Sequence, residues 1–308
     1  ALEGSDIHAI DAANITVNGL SSNSGILRFT TQSVDNALIL TVDRLSAKEA
    51  TDNKNAQKIY QNVSDIGGNA KGELSQFQDY LDNTNLSRAQ LTQTINQLTP
   101  QSTKAILSHS INIINHSSKP IENHLNESHQ ISSKGVWMQT FNSHASQDDV
   151  KDDEGFKINA SGFVMATDHK IKHNNLIGGA LSYIKSDIKS LDDVKKISVN
   201  SYQFNLYHSW HFNNYFMDSL AGVTWHHYAS QRSIKAITAN SEANFYGQSL
   251  AAKIKTGFVQ KINKHFNVTP EIALHFINNT IDDYDYEEDE DEDEEIYSNS
   301  TAFYLFRY

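Results

Sequence analysis

Between residues 135 and 276 the chain repeats one pattern: about ten residues alternate between apolar and polar side chains, and a polar break follows. In the clearest copy, residues 198–210, Tyr202, Phe204 and Leu206 occupy even positions, whereas Gln203 and Asn205 occupy odd ones. Successive side chains of a β-strand point to opposite faces. The period of two therefore predicts a strand with one apolar and one polar face.

Seven segments share this alternation and are predicted to be strands. They are residues 136–146, 157–170, 175–186, 197–212, 215–230, 242–259 and 265–277. Strands of this length, with rings on one face and amides or hydroxyls on the other, suit a barrel with lipid outside and water inside. Because the chain has no run of 18 apolar residues, a barrel is the remaining way for it to span a membrane.

Strand parity assigns individual side chains to the two predicted faces. The lipid-facing set is Tyr202, Phe204, Leu206, Trp210, Leu250, Ile254, Phe258, Ile272, Leu274 and Phe276. The pore-facing set is Gln203, Asn205, Lys253, Lys255 and Glu271. A lysine at mid-depth on a lipid face would cost about 2–4 kcal/mol, so its place on the polar face favours a barrel. The exposed face of a soluble sheet explains the same parity equally well.

The connections between these strands are predicted to alternate in length. Residues 172–174, 213–214 and 263–264 form short links, and residues 147–154, 187–195 and 231–241 form long polar ones. Outer-membrane barrels have short periplasmic turns on one rim and longer loops on the other. A soluble sandwich has no reason to alternate in this way, so we take the alternation as the strongest structural indication of a barrel.

The first 134 residues follow different patterns. Residues 1–44 indicate short strands separated by Ser, Asn and Gly turns, which are typical of the last rungs of a β-solenoid or of part of a sandwich. Residues 45–99 have helical composition. Residues 101–129 alternate Ile-rich and polar positions, and Pro120 is predicted to kink or end a helix there. This last segment either threads a polar channel or packs as a linker helix on a soluble domain.

The net charge of −12 comes from one segment. Twelve of the 37 acidic residues lie in residues 282–295, and the rest of the chain has 25 acidic and 25 basic residues. No basic face for nucleic acid is expected. The acidic run predicts a disordered segment or long outer loop, and residues 301–308 a last short strand.

Residues for catalysis or metal binding are not arranged in a pattern that predicts either function. The adjacent His226 and His227 would point to opposite faces of a strand, and the chain has no HExxH, P-loop, GxGxxG or GxSxG motif. There is no cysteine. We therefore expect no enzyme activity, no cofactor and no metal site.

Several stretches, in order, resemble the autotransporters (type V secretion proteins), and among them the rickettsial surface cell antigens. The most specific are QLTQTINQLTPQSTKAIL at Gln90–Leu107 and GVWMQTFNSHASQDDV at Gly135–Val150. ALILTVDR at Ala37–Arg44, NNLIGGALSYIKSDIK at Asn174–Lys189 and NSYQFNLYHSW at Asn200–Trp210 are also similar. The resemblance covers most of the chain.

This resemblance implies a division into four parts. Residues 1–44 would be the end of a passenger β-solenoid, 45–99 a helical linker, 100–134 a pore-threading helix and 135–308 the translocator barrel with an acidic loop at 282–295. The fold class expected is mainly β, a transmembrane barrel that is incomplete, with about seven or eight of the family's twelve strands. Because the chain starts without Met, we expect it to be a fragment or a processed product, truncated at its C-terminus.

The resemblance also implies a location and partners. The protein is expected in the bacterial outer membrane, where it would export, anchor and display a passenger at the cell surface, unless truncation leaves it non-functional. The expected partners are outer-membrane lipid, the chain's own passenger and the barrel assembly machinery, with the protein itself a monomer. The alternative is a soluble β-sandwich that serves as a surface adhesin or binding module.

Overall fold

The computed structural model of the chain describes residues 24–34, 37–99, 103–128, 135–172, 174–263, 266–282 and 298–307. Contacts divide the chain into two units. The first comprises residues up to 100 together with 150–153 and 232–241, and the second comprises the remainder. Of the helices among the described residues, none combines the length and the apolarity that crossing a bilayer demands.

The described residues of the first unit form a β-hairpin, four α-helices and a short 3-10 helix at Gly67–Asn69. Its elements are β1 (Leu27–Val34), β2 (Ala37–Arg44), α1 (Ala47–Ala50), α2 (Lys54–Ile66), α3 (Gly72–Asn83) and α4 (Arg88–Asn96). Side chains cap the helices where the sequence changes from extended to helical: Asn53 accepts a hydrogen bond from the amide of Ala56, and Ser87 forms a capping box with Gln90.

The core of the first unit is formed by apolar side chains spaced at helical intervals. Tyr60, Phe77, Leu81, Leu91 and Ile95 are each at most 2% exposed. Ile234, from the segment 232–241, lies in the same core. The Arg232 guanidinium adds a hydrogen bond to the Leu98 carbonyl at 3.1 Å. The segment 232–241 is therefore an integral part of this helical unit.

The second unit contains one large antiparallel sheet. Its strands are β3 (Gly135–Gln147), β4 (Phe156–Lys172), β5 (Asn175–Ser190), β6 (Lys195–Phe212), β7 (Tyr215–Ile234), β8 (Ala239–Phe258), β11 (Glu271–Ile281) and β12 (Ser298–Arg307). The two-residue strands β9 (Gln260–Lys261) and β10 (Asn267–Val268) form a separate small hairpin. The sheet order is β12-β11-β8-β7-β6-β5-β4-β3, so β3 and β12 are its edges, and they are not paired with each other among the described residues.

The predicted mainly β fold is confirmed, but two of the predicted long connections are wrong. The chain links β5 to β6 through residues 191–194 and β7 to β8 through residues 235–238, because the strands continue into the segments expected to be loops. Of the three connections predicted to be long, the one between β3 and β4, residues 148–155, is long in the structure. The strand predicted at 265–277 instead begins at Glu271, directly after Pro270, which has no amide hydrogen for a ladder bond.

A single long helix, α5 (Thr103–Ser128), belongs to the second unit. Pro120 lies inside this helix and does not end it, contrary to one of the two predicted outcomes. Its neighbours Ser117 and Ser118 donate their hydroxyls to the Ile114 carbonyl at 3.1 and 2.7 Å. These local bonds supplement the backbone ladder in the turn that Pro120 interrupts.

Some predictions concern residues that the structure does not describe. The strands expected within residues 1–23, the acidic run from residue 283 onward and the ends of the predicted pore helix at 100–102 and 129–134 lie outside the described residues. The described strands of the expected solenoid end, β1 and β2, pair in antiparallel register from Leu27 opposite Arg44. Solenoid rungs stack in parallel, so this hairpin is not itself a pair of rungs.

Candidate functional site

The outward face of the sheet has a continuous apolar band. Every residue predicted to face lipid except Phe276 is exposed there, from 38% for Phe258 to 58% for Tyr202, and Phe276 is half-buried. Other exposed apolar side chains extend the band across neighbouring strands: Met138, Met165, Ile177, Leu181, Met217 and Trp225. A water-soluble surface rarely exposes so many large apolar side chains side by side.

Aromatic rings border this band at both ends of the strands. At one border Phe163, Tyr183 and Tyr202 lie side by side on β4, β5 and β6, with 5.2 Å between the last two ring centroids. At the other, the rings of Trp210 and Phe212 stack at 6.1 Å. Ten residues separate Tyr202 from Phe212, which is about 34 Å of strand and about 25 Å of height at the tilt usual for membrane barrels. That height matches the hydrocarbon thickness of an outer membrane.

The apolar side chains change faces at one border of the band. On β6, Tyr202 and Phe204 point outward, whereas Ile197 and Val199 at the start of the strand are 1% exposed and point inward. The same reversal places Ile158, Ile188, Phe245 and Ile281 inward on four other strands, where they join one core cluster. We call the part of the sheet beyond this border, toward residues 191–194 and 235–238, the strand extensions. Their outward face is polar and their inward face apolar, as expected where water surrounds the sheet.

The inward face packs on two sides of α5. Ile113 packs on Ala160 of β4 and Ile184 of β5. The next residue, Ile114, packs on Ala251 of β8 and Ile277 of β11. Successive helix residues point about 100° apart, so strands on both sides of α5 contact it. The concave side of the sheet is thus occupied by a helix.

The charged residues predicted to face a pore lie on the inward side of the sheet, and two of them contact α5. Lys253 Nζ lies 2.8 Å from Glu122 Oε1, and Lys255 Nζ donates to Asn126 Oδ1 at 3.0 Å. Lys255 also lies 3.7 Å from Glu271. All three therefore face inward, and both lysines contact the helix directly.

Gln203 and Asn205 also point inward, but they do not line open water as expected. They are 3% and 0% exposed, respectively. The side chain of Asn205 occupies the space that a side chain on Gly222 would fill, since a Cβ there would lie 2.0 Å from Asn205 Oδ1. Close packing between β6 and β7 covers the amide.

A second attachment of α5 was not predicted from the sequence. His124 Nε2 lies 2.5 Å from Asp168 Oδ2 on β4, and the same oxygen accepts hydrogen bonds from Trp137 Nε1 and the Tyr207 hydroxyl, both at 3.3 Å. The His124 and Trp137 rings stack at 4.6 Å. Asp168 could not be identified from the sequence, because a single Asp near the lysine-rich end of a strand belongs to no periodic pattern. The fold brings it next to Trp137 and His124, which precede it by 31 and 44 residues.

Near the first half of α5, polar side chains on the inward side of the sheet form three separate groups of hydrogen bonds. His109 Nε2 bonds with Ser186 Oγ at 2.5 Å, and Ser143 donates to Asn112 at 2.8 Å. His226 bonds to Ser201 and Ser249 on the two neighbouring strands at 2.9 and 2.8 Å. In the part of the chain that the structure describes, no three His, Asp or Glu side chains are grouped so that they could hold a metal ion.

Outside the band, the link between β3 and β4 is fixed by an ion pair. Lys195, 3% exposed, places its Nζ 2.5 Å from Glu154 Oε2. Burial raises the pKa of Glu154, and the hydrogen bond and charge of Lys195 oppose that rise. This pair joins residue 154 to the strand extension of β6.

Comparison with known proteins gives two results. The sequence model of the autotransporter beta-domain matches residues 136–291. The chain is 24% identical over 160 residues to "Outer membrane protein B" of Rickettsia japonica, 26% over 162 to that of Rickettsia prowazekii and 25% over 162 to that of Rickettsia typhi. Each alignment covers 49% of this chain and 10% of the relative.

Proposed function

This chain belongs to the autotransporter beta-domain family, and from that membership we propose that it exports a linked passenger across the bacterial outer membrane and then anchors that passenger at the cell surface. The outer-membrane location and the translocator role follow from the family and from its Outer membrane protein B relatives. The passenger, its export and its display belong to the proposal.

The observation that supports this function best is the occupied concave side of the sheet. A helix that directly precedes the first strand lies inside the curved sheet and contacts β4 and β5 on one side and β8 and β11 on the other. A chain exported through a barrel must leave its trailing segment in the pore when export ends. In the proposal, α5 is that trailing segment, and Lys253, Lys255 and Asp168 hold it there.

The outward band supports the anchoring part of the proposal. Its height of about 25 Å and its two aromatic borders are the features by which an outer-membrane strand fits its bilayer. We infer that the residues of the predicted lipid-facing set contact acyl chains. We further propose that the barrel assembly machinery inserts the sheet and that the chain acts as a monomer, since each unit has its core within one chain.

The alternative of a soluble β-sandwich has less support. A sandwich needs two sheets packed face to face. The described residues contain one large sheet, whose inward face packs on a helix and whose outward face is apolar and uncovered. Recovery of the protein in the soluble periplasm without detergent would nevertheless favour the sandwich over the translocator.

Disulfide crosslinking tests the position of α5, and the cysteine-free chain makes it simple. Ser143 Oγ and Asn112 Oδ1 are 2.8 Å apart, so S143C/N112C should form a disulfide in isolated outer membranes. The matched control is N142C/N112C, because the neighbouring Asn142 side chain points outward and is exposed. A crosslink in the first variant only supports a helix inside the sheet. Equal crosslinking, or none in either variant, would contradict it.

Protease treatment of intact cells tests display. A protease added outside should remove residues 24–99 and leave α5 and the membrane-embedded part of the sheet protected, because α5 is proposed to lie inside the sheet whereas residues 24–99 are proposed to lie at the surface. Protection of both parts on intact cells, with digestion after outer-membrane permeabilisation, would exclude export of the N-terminal part.

A further inference from the structure

Three lysines lie directly opposite one another on adjacent strands of the sheet. Lys157 on β4 is the register partner of Lys189 on β5, and Lys189 is the partner of Lys196 on β6. We call these three residues the lysine ladder. Like charges directly opposite across strands destabilise a sheet, so such a row requires a compensating partner.

The ladder lies on the outward face. The neighbouring residues Ile158, Ile188 and Ile197 are at most 1% exposed and point inward, so the adjacent lysines point the other way. Lys185, four residues along β5 from Lys189, shares this face. Lys157 and Lys185 are exposed, and Lys189 and Lys196 are partly exposed. Together the ladder and Lys185 bring four positive charges to one side of three neighbouring strands.

Acidic groups on the same face do not balance these charges. Asp187 lies between Lys185 and Lys189 on β5, and its Oδ1 is 3.4 Å from Lys196 Nζ. The same oxygen accepts the Ser198 hydroxyl at 2.7 Å. The other outward positions around the ladder on these three strands are neutral: Asn159, Ser161, Ser198 and Asn200. On the outward face of β4, β5 and β6 at this level, one carboxylate therefore accompanies four ammonium groups. Two further carboxylates, Asp192 and Asp193, lie in the turn that joins β5 to β6, where Asp192 accepts hydrogen bonds from Ser190 and Val194.

The ladder lies in the strand extensions, beyond the aromatic border. Six residues separate Lys189 from Tyr183, which corresponds to about 20 Å of strand and about 15 Å of height above the border. Lys185, two residues from Tyr183, is closer. If the strand extensions face the cell exterior, as the proposed display requires, the group spans the layer directly above the acyl chains, where phosphate-bearing headgroups of the outer leaflet lie.

We propose that Lys157, Lys185, Lys189 and Lys196 bind phosphate groups of the glycolipids that form the outer leaflet. This inference rests on the proposed contact of the apolar band with acyl chains. Flexible lysine ammonium groups act as point charges for phosphate, and four of them above a lipid-covered surface fit several phosphates of one or two headgroups. Continuity with the apolar band favours a lipid over a soluble anion, because the acyl chains of the same molecule would cover the band below.

The test uses the full chain refolded into vesicles of zwitterionic phospholipid, to which fluorescent lipopolysaccharide is added. The variant K157Q/K189Q/K196Q removes the ladder, and K58Q/K235Q/K261Q is the control, since it removes the same charge from exposed positions elsewhere. We expect the ladder variant to bind lipopolysaccharide about tenfold to a hundredfold more weakly than wild type, and the control to bind like wild type. Dephosphorylated lipopolysaccharide should bind all three proteins equally.

The possible outcomes separate this inference from the proposed function. Equal binding by wild type and the ladder variant, or equal loss in the control, overturns the inference. Full competition by inorganic phosphate at concentrations matched to the lipid phosphate also overturns it, because the site would then hold a soluble anion. Quenching of Trp225 by brominated phospholipid, measured on the W137F/W210F variant in vesicles of otherwise the same composition, reports insertion. If Trp225 is not quenched, the proposed function is contradicted. If the protein inserts but the ladder variant binds lipopolysaccharide as well as wild type, only the proposed phosphate binding by the lysine ladder is contradicted.

Discussion

Glycines make room for the large side chains on the inward face of the sheet. Gly178 faces the Tyr207 ring, and a Cβ at residue 178 would lie 2.2 Å from Tyr207 Cζ. The Tyr207 hydroxyl in turn reaches Asp168, which holds His124 of α5. Because Gly178 on β5 has no side chain, the Tyr207 ring has room to reach Asp168, which contacts His124 of α5.

We therefore expect G178A to destabilise the folded sheet by about 1–3 kcal/mol, the usual effect of overpacking. G179A is the control, because a Cβ on the neighbouring, outward-facing Gly179 would meet no atom closer than 3.8 Å, and it should stay within about 0.5 kcal/mol of wild type. Urea unfolding of the refolded protein in detergent measures both. Equal losses in the two variants would contradict the packing described for Tyr207.

Glu49 provides a pH-dependent contact in the first unit. Its carboxylate accepts hydrogen bonds from the Ser46 hydroxyl and amide and from Arg28, which lower its pKa to about 2. Because the pKa of Glu49 is lower in the folded than in the unfolded chain, its carboxylate stabilises the folded state fully above pH 4.5. This stabilisation is lost as the pH falls toward 2 and the carboxylate is protonated.

Hydrogen exchange of the amides of residues 47–50 checks this expectation. Wild type should be better protected than E49Q at neutral pH, and the difference should shrink between pH 4.5 and 2. A difference that does not change over this interval would show that the Glu49 carboxylate does not stabilise α1.

At the scale of elements, the alternation of apolar and polar residues predicted the strands of the sheet but underestimated their length. The predicted strands on β5 and β7 ended four residues early, at 186 and 230. Each ended near the level where the apolar side chains change faces, as between Val199 and Tyr202 on β6. A change of phase in the alternation resembles a loop in a sequence, and only the paired register shows that the strand continues.

The contacts of α5 could be predicted only in part. The Ile-rich pattern predicted an amphipathic helix, and parity placed Lys253, Lys255 and Glu271 on the inner face. The helix partners of these residues depend on rotation and depth of α5 inside the sheet, which the sequence does not define. His124 and Asp168 show this most clearly, because neither belongs to an alternating apolar pattern.

Ile114 should be a main contributor to the attachment of α5. It is fully buried between β8 and β11, so I114A should destabilise the protein by about 2–5 kcal/mol. H116A changes an exposed residue of the same helix and should stay within about 0.5 kcal/mol of wild type. The same urea unfolding measures both variants, and an I114A value near that of H116A would contradict a helix packed on both sides.

At the scale of the whole chain, the family and the outer-membrane location agree with the two faces of the sheet. The apolar band, its aromatic borders and the reversal of apolar side chains beyond one border all follow from one division: lipid around the middle of the strands and water around their extensions. The sequence predicted the band from parity. It did not predict that the apolar side chains change from the outward to the inward face at the same level on several strands.

The three native tryptophans allow the most direct measurement of which side chains of the sheet contact lipid. Trp210 and Trp225 are 39% and 49% exposed on the outward face, whereas Trp137 stacks on His124 and donates to Asp168. Single-tryptophan variants, with Phe at the other two positions, are refolded into vesicles whose lipids have brominated acyl chains. We expect strong quenching of Trp210 and Trp225 and little quenching of Trp137. Quenching of Trp137 as strong as that of the other two, or no quenching of any, would contradict this expectation.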